Sequence, residues 1–373
     1  MCGESPTVSI DPLTDDTPIG DFKEEWYPFL CDAHCHAHDD KQRLDEIQQL
    51  RTGHITLMGV RQDDWETVEM VAASSNSSSS DNNNNDSTTD VDSHSRCVPC
   101  FGIHPWYVYR LAPPQEGDPQ ANEEGVKHQQ QQQEHYQHVL DGPDDTEKQQ
   151  LISQLAAPIP FSDWYPHLEQ QLKRHPHALL GEVGLDRSAR LLPGGAIEWH
   201  GVKPTNVVCD IDHQCTILRL QLDLALQLDR AVSFHCVQSQ GHLMAILQSI
   251  NQQLGKSKTV TTATATTSVL RVCLHSFGGK PASLDQFFKW RHVKVYVSFS
   301  IAINARLGWK KLSQLIQAVP DDQLLIETDL NSPTSLDYNM VCIASLVAQA
   351  KNWSLHDTVM KTRQNWIAFT GVE

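Results

Sequence analysis

Eight short apolar runs, each separated from the next by a segment of helical character, most strongly constrain how this 373-residue chain can fold. Most of these runs are continuously apolar and rich in β-branched residues, which is typical of strands covered on both faces of a sheet. Strands that alternate with helices pair in parallel, and eight such units predict a (β/α)8 TIM barrel. The predicted strands are 28–36, 54–60, 97–103, 177–183, 231–235, 269–275, 293–298 and 323–329.

An open, doubly wound sheet is the alternative architecture for this alternation. No G-x-G-x-x-G turn follows the first predicted strand, which lowers the case for a dinucleotide-binding sheet. The barrel is therefore the favoured fold. Its predicted helices are 39–50, 63–73, 164–174, 217–228, 242–254, 284–290 and 309–319, with two more at the C-terminal end.

Four segments are predicted to be disordered surface insertions. Residues 74–95 are rich in Ser, Asn and Asp, residues 111–160 are rich in Gln, Pro and acids, and residues 255–268 include a Thr-rich patch. Such compositions cannot bury enough apolar surface to offset the entropy of ordering the chain. Residues 187–210 are irregular and are predicted to be a fourth insertion.

Without these insertions, residues 26–373 have the size of a single barrel domain, and residues 1–25 form an acidic lead-in. The net charge of −17 lies in the lead-in and in residues 74–95 and 111–160, so the rest of the chain is formally neutral. The acidity therefore does not exclude a phosphate or nucleic-acid substrate.

The N-terminal sequence and the cysteines indicate in which cellular compartment the protein is found. The first residues lack the basic and apolar regions of a signal peptide, and no apolar run is long enough to span a membrane. Several of the ten cysteines lie inside apolar runs, as expected for buried thiols. We expect a protein of the cytoplasm or nucleus that has no membrane segment.

Residues that commonly bind metals stand at the ends of five predicted strands. His34 and His36 are alternate residues of the first strand, so their side chains project to the same side. A lone histidine pair is weak evidence, but the active sites of barrels gather where the strands end. Six residues at that end of five strands predict a metal site: His34, His36, Glu182, His235, His275 and Asp329.

Four imidazoles and two carboxylates exceed what one four-coordinate ion needs, which predicts two divalent ions. Glu182 is the natural bridge, because a carboxylate has an oxygen for each ion. This ligand set suits Zn²⁺ or Mn²⁺, whereas Mg²⁺ prefers more oxygen, and the identity of the metal stays open. Two such ions activate water and neutralise charge on a phosphate or carbonyl oxygen, which predicts a hydrolase.

The motifs around these residues resemble those of the TatD-type metal-dependent deoxyribonucleases, which belong to the amidohydrolase superfamily of barrels. The resemblance covers residues 29 to about 330, with a closing Asn-x-x-x-Phe pattern at 365–369. Its motifs, in the family's order, are His34-Cys35-His36, Gly102-Ile103-His104-Pro105, Gly181-Glu182-Val183-Gly184-Leu185-Asp186, His235, Leu274-His275-Ser276-Phe277-Gly278-Gly279 and Glu327-Thr328-Asp329.

The resemblance implies a role for each site residue. It divides the ligands between two ions: His34, His36 and Asp329 for one, His235 and His275 for the other, and Glu182 between them. It also makes Asp329 the proton acceptor for the attacking water and His104 a contact to the phosphate or the leaving group, although a turn histidine remains the alternative for His104. For Asp186, which matches too, we expect a structural role at the turn from strand to helix.

Two positions on the substrate side depart from the family's pattern. Bacterial members usually carry Ser-Arg or a similar pair where Cys236-Val237 stands, and Asp-Ala/Ser-Pro-Tyr where the chain has Asp329-Leu330-Asn331-Ser332-Pro333. Residues 297–304 and the insertions are similar to a fungal branch that is described as interacting with a subunit of a mitotic ubiquitin ligase.

The resemblance implies a metal-dependent phosphodiesterase that acts as a 3′→5′ deoxyribonuclease on DNA. One alternative is a metallohydrolase for another small ester, amide or lactone. The other is a barrel that serves mainly as an adaptor and binds a protein partner through its acidic or Gln-rich insertions.

Overall fold

Eight parallel strands form one sheet in this computed structural model, which describes residues 21–77, 96–114, 126–197, 201–256 and 269–372. The order of these strands in the sheet is the same as their order in the sequence, and each pairs in parallel with its neighbours, which confirms the predicted barrel. The strands are β1 (Cys31–Cys35), β2 (His54–Met58), β3 (Cys97–Phe101), β5 (Leu179–Asp186), β7 (Val232–Val237), β8 (Leu270–Leu274), β9 (Val293–Phe299) and β10 (Leu324–Ile326). Outside the barrel, β4 (Leu140–Asp141) pairs antiparallel with β6 (Val208–Cys209).

The barrel closes between its first and last strands just beyond the end of β10. The backbone N–H of Asp329 donates to the carbonyl of His34 at 2.9 Å, and the N–H of His36 donates to the carbonyl of Leu330 at 2.8 Å. The buried carboxylate of Asp32 accepts from the backbone N–H of Thr328 at 3.0 Å and from its hydroxyl at 2.5 Å. This seam therefore places the residues that follow β10 directly against β1.

Helices cover the outside of the barrel, and a core of buried apolar side chains lies between them and the strands. No helix in the described ranges is long and apolar enough to cross a membrane. The helix predicted over 39–50 is reduced to one α-helical turn. The helices are α1 (Leu44–Ile47), α2 (Trp65–Ser77), α3 (Val126–Val139), α4 (Asp145–Ile152), α5 (Phe161–Arg174), α6 (Ile211–Leu228), α7 (Gln240–Lys256), α8 (Pro281–Phe287), α9 (Ile301–Asn304), α10 (Trp309–Ala318), α11 (Leu336–Lys351) and α12 (Leu355–Thr370).

The last helix, α12, closes the end of the barrel at which the strands begin. Trp366 and Phe369 are fully buried against side chains of the barrel interior. The indole N–H of Trp366 donates to the hydroxyl of Thr56 in β2 at 2.9 Å, and the amide of Asn365 donates to the carbonyl of Leu324 at 2.8 Å. The candidate site lies at the opposite end of the barrel, where the strands finish.

Part of the sequence predicted to be disordered is folded. Within 111–160, α3, β4 and α4 pack on the barrel, and within 187–210, β6 pairs with β4. The average composition of these segments is polar, but their few apolar residues reach the core: Tyr136, Val139, Leu140, Leu151, Ile152, Leu155, Leu191 and Val207.

The other disorder predictions fall mostly on residues that the structure does not describe. These are residues 78–95, 115–125, 198–200 and 257–268, and residues 1–20 of the acidic lead-in also lie outside the described residues. At their borders, α2 continues to Ser77 and α7 to Lys256, so both helices run into the segments predicted to be insertions.

Candidate metal centre

The six predicted ligands come from five strands and meet at the end of the barrel where the strands finish. His34, Glu182 and His235 lie within strands β1, β5 and β7. His36 and His275 directly follow β1 and β8, and Asp329 follows β10 across the seam. Because parallel strands of a barrel end on the same face, this arrangement brings distant parts of the sequence together.

The buried carboxylate of Glu182 lies at the middle of the cluster, and its two oxygens divide the histidines into two groups. Oε2 lies 3.4 Å from Nε2 of His34 and 3.2 Å from Nε2 of His36. Oε1 lies 2.9 Å from both Nδ1 of His235 and Nε2 of His275. Oδ1 of Asp329 joins the first group, at 3.6 Å from Nε2 of both His34 and His36.

The strand that carries Glu182 approaches its neighbour unusually closely. Gly184 has φ +153°, and a Cβ at this position would lie 1.9 Å from the carbonyl oxygen of His235. Only glycine avoids this clash, so Gly184 allows β5 and β7 to bring Glu182 and His235 together.

Contacts to the second ring nitrogen orient the first two histidines. Nδ1 of His34 lies 2.9 Å from the hydroxyl of Ser233. Nδ1 of His36 donates to the carbonyl of Met58 at 3.2 Å, because a carbonyl oxygen can only accept. In the neutral ring, Nε2 of His36 therefore carries a lone pair that faces the carboxylates, as a metal ligand requires.

His235 lies between two carboxylates. Its Nδ1 faces Glu182, and its Nε2 lies 3.0 Å from Oδ2 of Asp186. The other oxygen of Asp186 accepts from the backbone N–H and the hydroxyl of Ser188, at 2.8 and 2.7 Å, which holds the turn after β5. Asp186 thus has the expected place in the turn, and it also contacts the site directly.

A further carboxylate, Glu327, lies behind His275. Its Oε1 is 3.5 Å from Nδ1 of His275, an electrostatic contact at the limit of hydrogen-bonding distance. Glu327 accepts from the backbone N–H of Ser276 at 2.8 Å and from the hydroxyls of Ser276 and Ser298. Glu327 belongs to the motif Glu327-Thr328-Asp329 but was not among the predicted site residues, although an acid directly after an apolar strand is a usable signal.

The acidic and basic side chains of the cluster shift one another's pKa values. Burial opposes ionisation of Glu182, but the surrounding histidines, His104 and His275 first among them, outweigh it and hold the pKa of this carboxyl well below its usual range. Burial likewise opposes protonation of His36, but the hydrogen bond and the charge of Glu182 raise its pKa to about 9. The pKa of His235 is raised as well, because bonds to Asp186 and Glu182 outweigh burial.

His104 reaches the same carboxylate from the turn after β3, with Nε2 at 3.3 Å from Oε1 of Glu182. Burial lowers its pKa to about 4. The backbone N–H of Trp106 donates to its Nδ1 at 3.2 Å, so in the neutral ring Nε2 carries the hydrogen. Neutral His104 therefore presents a donor to the site, whereas the neutral form of His36 presents a lone pair.

The donor set fits divalent cations. Three groups of side chains have ligand atoms within 4.8 Å of one another: His34, His36 and Glu182; His34, His275 and Glu327; and His104, Glu182 and His235. In the described part of the chain, every ion pair found for Glu182 and Asp329 is with a histidine, so nitrogen lone pairs and carboxylate oxygens face one another without lysine or arginine. A cation satisfies such a set, and imidazole with carboxylate suits Zn²⁺ or Mn²⁺.

The fold and the site together define a hydrolase-type (β/α)8 barrel with a histidine and carboxylate centre at the ends of its strands. The chain belongs to the TatD related DNase family, whose model matches residues 31–371. The match confirms the family resemblance, and it makes the chain a hydrolase of a family that acts on ester bonds.

Two relatives are similar over most of their lengths. The Cut9-interacting protein scn1 of Schizosaccharomyces pombe is 30% identical over 365 residues, which cover 92% of this chain and 99% of the relative. A Saccharomyces cerevisiae protein described as an uncharacterized deoxyribonuclease is 26% identical over 310 residues, which cover 80% of this chain and 83% of the relative.

Two solved structures share the fold. The TatD homologue YJJV of Escherichia coli superimposes with a TM-score of 0.54 at 15% identity, over 93% of this chain and all of that one. A TatD-family hydrolase of Entamoeba histolytica superimposes with a TM-score of 0.51 at 14% identity, over 91% of this chain and 97% of that one.

Proposed function

We propose that this hydrolase cleaves phosphodiester bonds of DNA at a centre of two divalent ions. The arrangement of Glu182 carries the proposal, because its two oxygens face two separate groups of histidines. A single carboxylate in this position can bridge two ions. In the proposed assignment, His34, His36 and Asp329 would hold one ion, His235 and His275 would hold the other, and Glu182 would contribute to both.

The chemistry that such ions supply is activation of water and neutralisation of charge on phosphoryl oxygens. Asp329 accepts the proton of the attacking water. Its side chain is held at the seam, since its backbone has φ +54° and its N–H donates to the carbonyl of His34. From the other side of Glu182, the Nε2–H of neutral His104 donates to a phosphoryl or leaving-group oxygen.

DNA is the proposed substrate for two reasons. The yeast relative is described as a deoxyribonuclease, and the family model carries the same activity in its description. The acidic residues that give the chain its charge of −17 lie in the lead-in and two insertions, and the remaining barrel is formally neutral. An anionic polymer can therefore approach the centre without facing the chain's whole charge. We also propose that the enzyme removes nucleotides from DNA in the 3′→5′ direction.

The test is cleavage of end-labelled single- and double-stranded DNA with Mn²⁺, Zn²⁺ or Mg²⁺ added in turn. We expect 3′-labelled ends to be released first, and we expect Glu182→Gln to lower the rate by at least about 100-fold, because it removes the central charge. Glu169→Gln, on the outer surface of α5 where it pairs with Lys173, is the matched control and keeps the wild-type rate.

Intact DNA with every metal would contradict the proposal. If chromogenic esters or lactones were then hydrolysed, the same centre would serve another small substrate. If nothing were hydrolysed, the second candidate function, protein binding, would be favoured, as the name of the fission-yeast relative suggests. That role would use surfaces outside the centre, such as the acidic and Gln-rich insertions.

A further inference from the structure

Trp106 is an exposed aromatic side chain at the rim of the centre. About half of it is open to solvent, with a relative exposure of 52%. Its ring centroid lies 4.9 Å from that of His104 and 6.1 Å from that of His235, with the ring planes nearly perpendicular to both. Both histidines contact Oε1 of Glu182, so the indole stands beside the proposed reaction site.

The position of Trp106 is fixed before any ligand binds. Its indole N–H donates to Oδ2 of Asp186 at 2.8 Å, and its backbone N–H donates to Nδ1 of His104 at 3.2 Å. The N–H of Tyr107 closes the same turn by donating to the carbonyl of His104 at 2.9 Å. A large apolar surface that is held open by two side-chain partners loses little conformational entropy when a ligand covers it.

The neighbourhood indicates what such a ligand is. Flat aromatic groups stack on indole faces, and base stacking on aromatic side chains is the usual way in which proteins bind single-stranded nucleic acid. A nucleotide whose phosphate is bound at the proposed metal centre would carry its base close to this rim. The polar groups of Trp106 are paired with Asp186 and His104, so its exposed part offers aromatic surface and no base-specific hydrogen bond.

We propose that Trp106 is a stacking platform for a nucleobase adjacent to the scissile phosphate. The inference rests on the proposed function and adds a subsite to it. It implies that the enzyme binds unpaired bases at this position with little preference between sequences, because every base has a face to stack. It also implies that the platform contributes to substrate binding and leaves the chemical step unchanged.

The test compares two substrates that share one backbone. One is a short oligothymidylate, and the other is an oligomer of the same length in which a tetrahydrofuran analogue replaces every nucleoside, so that no base is present. On oligothymidylate, we expect Trp106→Leu to raise KM by about 10-fold or more, because the stacking surface is lost, with kcat within about twofold of wild type. Trp106→Phe keeps an aromatic face and raises KM by at most about threefold.

On the baseless oligomer, the wild type and Trp106→Leu are expected to share one KM. The control is Phe29→Leu, which removes an exposed aromatic side chain just before β1, at the opposite end of the barrel, and leaves KM unchanged on both substrates.

Three results would overturn the platform. An unchanged KM for Trp106→Leu on oligothymidylate would show that no base stacks there. An equal loss for the Leu and Phe variants on both substrates would show that the indole N–H acts only by positioning Asp186. Cleavage of neither substrate by the wild type would overturn the proposed function and the platform with it, whereas either of the first two results, obtained with both substrates cleaved, would overturn the platform alone.

Discussion

At the scale of single residues, the buried carboxylate of Glu327 shows how the centre keeps its shape. It has no exposed surface, and two serines donate hydrogen bonds to it from β9 and from the turn after β8. Burial opposes its ionisation, but His275 first, and then His34 and Ser276, lower its pKa. An ionised carboxylate behind Nδ1 of His275 favours the tautomer whose Nε2 can bind a metal.

Glu327→Gln removes that charge and keeps the size of the side chain. We expect the affinity for Zn²⁺ or Mn²⁺ to fall by about 10- to 100-fold, which is typical for the loss of a partner behind a metal-binding histidine. Calorimetric titration of metal-free protein measures it, and circular dichroism shows whether the variant is folded. Glu169→Gln is the surface control. Equal affinities for the variant and the wild type would mean that Glu327 does not support the site.

The meeting of the six proposed ligands at one end of the barrel was predictable from the sequence, because each stands at the end of an apolar run and barrels align the ends of their strands. The side chains that contact these proposed ligands could not be predicted from the sequence. Ser233 precedes His235 by two residues, yet it contacts the ring of His34, which is 199 positions away. Such pairs depend on the register of two strands and on side-chain rotamers, which no local pattern reveals. For the same reason the contact between Asp186 and His235 was missed.

At the scale of elements, two histidines connect helices α3 and α6 to Val108 and Tyr109, in the segment that follows β3. Nε2 of His135 in α3 donates to the carbonyl of Tyr109 at 2.9 Å, and Nε2 of His213 in α6 donates to the carbonyl of Val108 at 3.0 Å. The two rings meet edge to face, 5.7 Å apart. Burial lowers the pKa of both side chains and so favours their neutral forms, and protonation of both rings would place two charges side by side.

Stability is therefore expected to fall on mild acidification. Burial lowers the pKa of His213 to about 4, with a smaller effect from His135 and His138 that is opposed by the Val108 carbonyl and by Asp210. Its pKa in the unfolded chain is about 6.5, so the unfolded form binds more protons between pH 6.5 and 4. The contribution of the neutral ring is present above pH 6.5 and is lost as the pH falls, at a cost of about 2 kcal/mol by pH 5.

His213→Gln keeps an N–H donor and removes the titration. Urea unfolding at pH 7 and pH 5 measures the free energy of unfolding of each protein, and the drop between the two values is expected to be about 2 kcal/mol smaller in the variant than in the wild type. His356→Gln, on the exposed surface of α12, serves as control and keeps the wild-type drop. Identical drops in all three proteins would rule out this role for His213.

The predicted insertion at residues 111–160 shows where amino-acid composition gives the wrong prediction of disorder. Glutamines and acids dominate residues 111–160, and this average predicted disorder, yet Asp144 caps α4 by accepting from the N–H groups of Thr146 and Glu147. Tyr136 and Leu151 bury their side chains in the core. A few apolar residues on one helix face are enough when a barrel provides the opposite surface, and a count over the whole segment dilutes them.

At the scale of the whole molecule, the number of strands could be predicted, but the way the barrel closes could not. Eight apolar runs predicted eight parallel strands, because this periodicity is local. The seam depends on backbone bonds between residues such as His34 and Asp329, which are 295 positions apart in the sequence. Barrel closure and the site depend on the same contacts, since the bonds that join β10 to β1 also hold Asp329 beside His34 and His36.

The location of the protein in the cytoplasm or nucleus stays a prediction.

The metal content of the whole protein tests the central claim most directly. Elemental analysis of the purified wild type is expected to find about two divalent ions per chain, because two groups of histidines share Glu182. In Glu182→Ala the content is expected to fall sharply, since both groups lose their common ligand. A wild type that holds no divalent metal after careful preparation, or a Glu182→Ala variant that keeps the full content, would contradict the dinuclear centre.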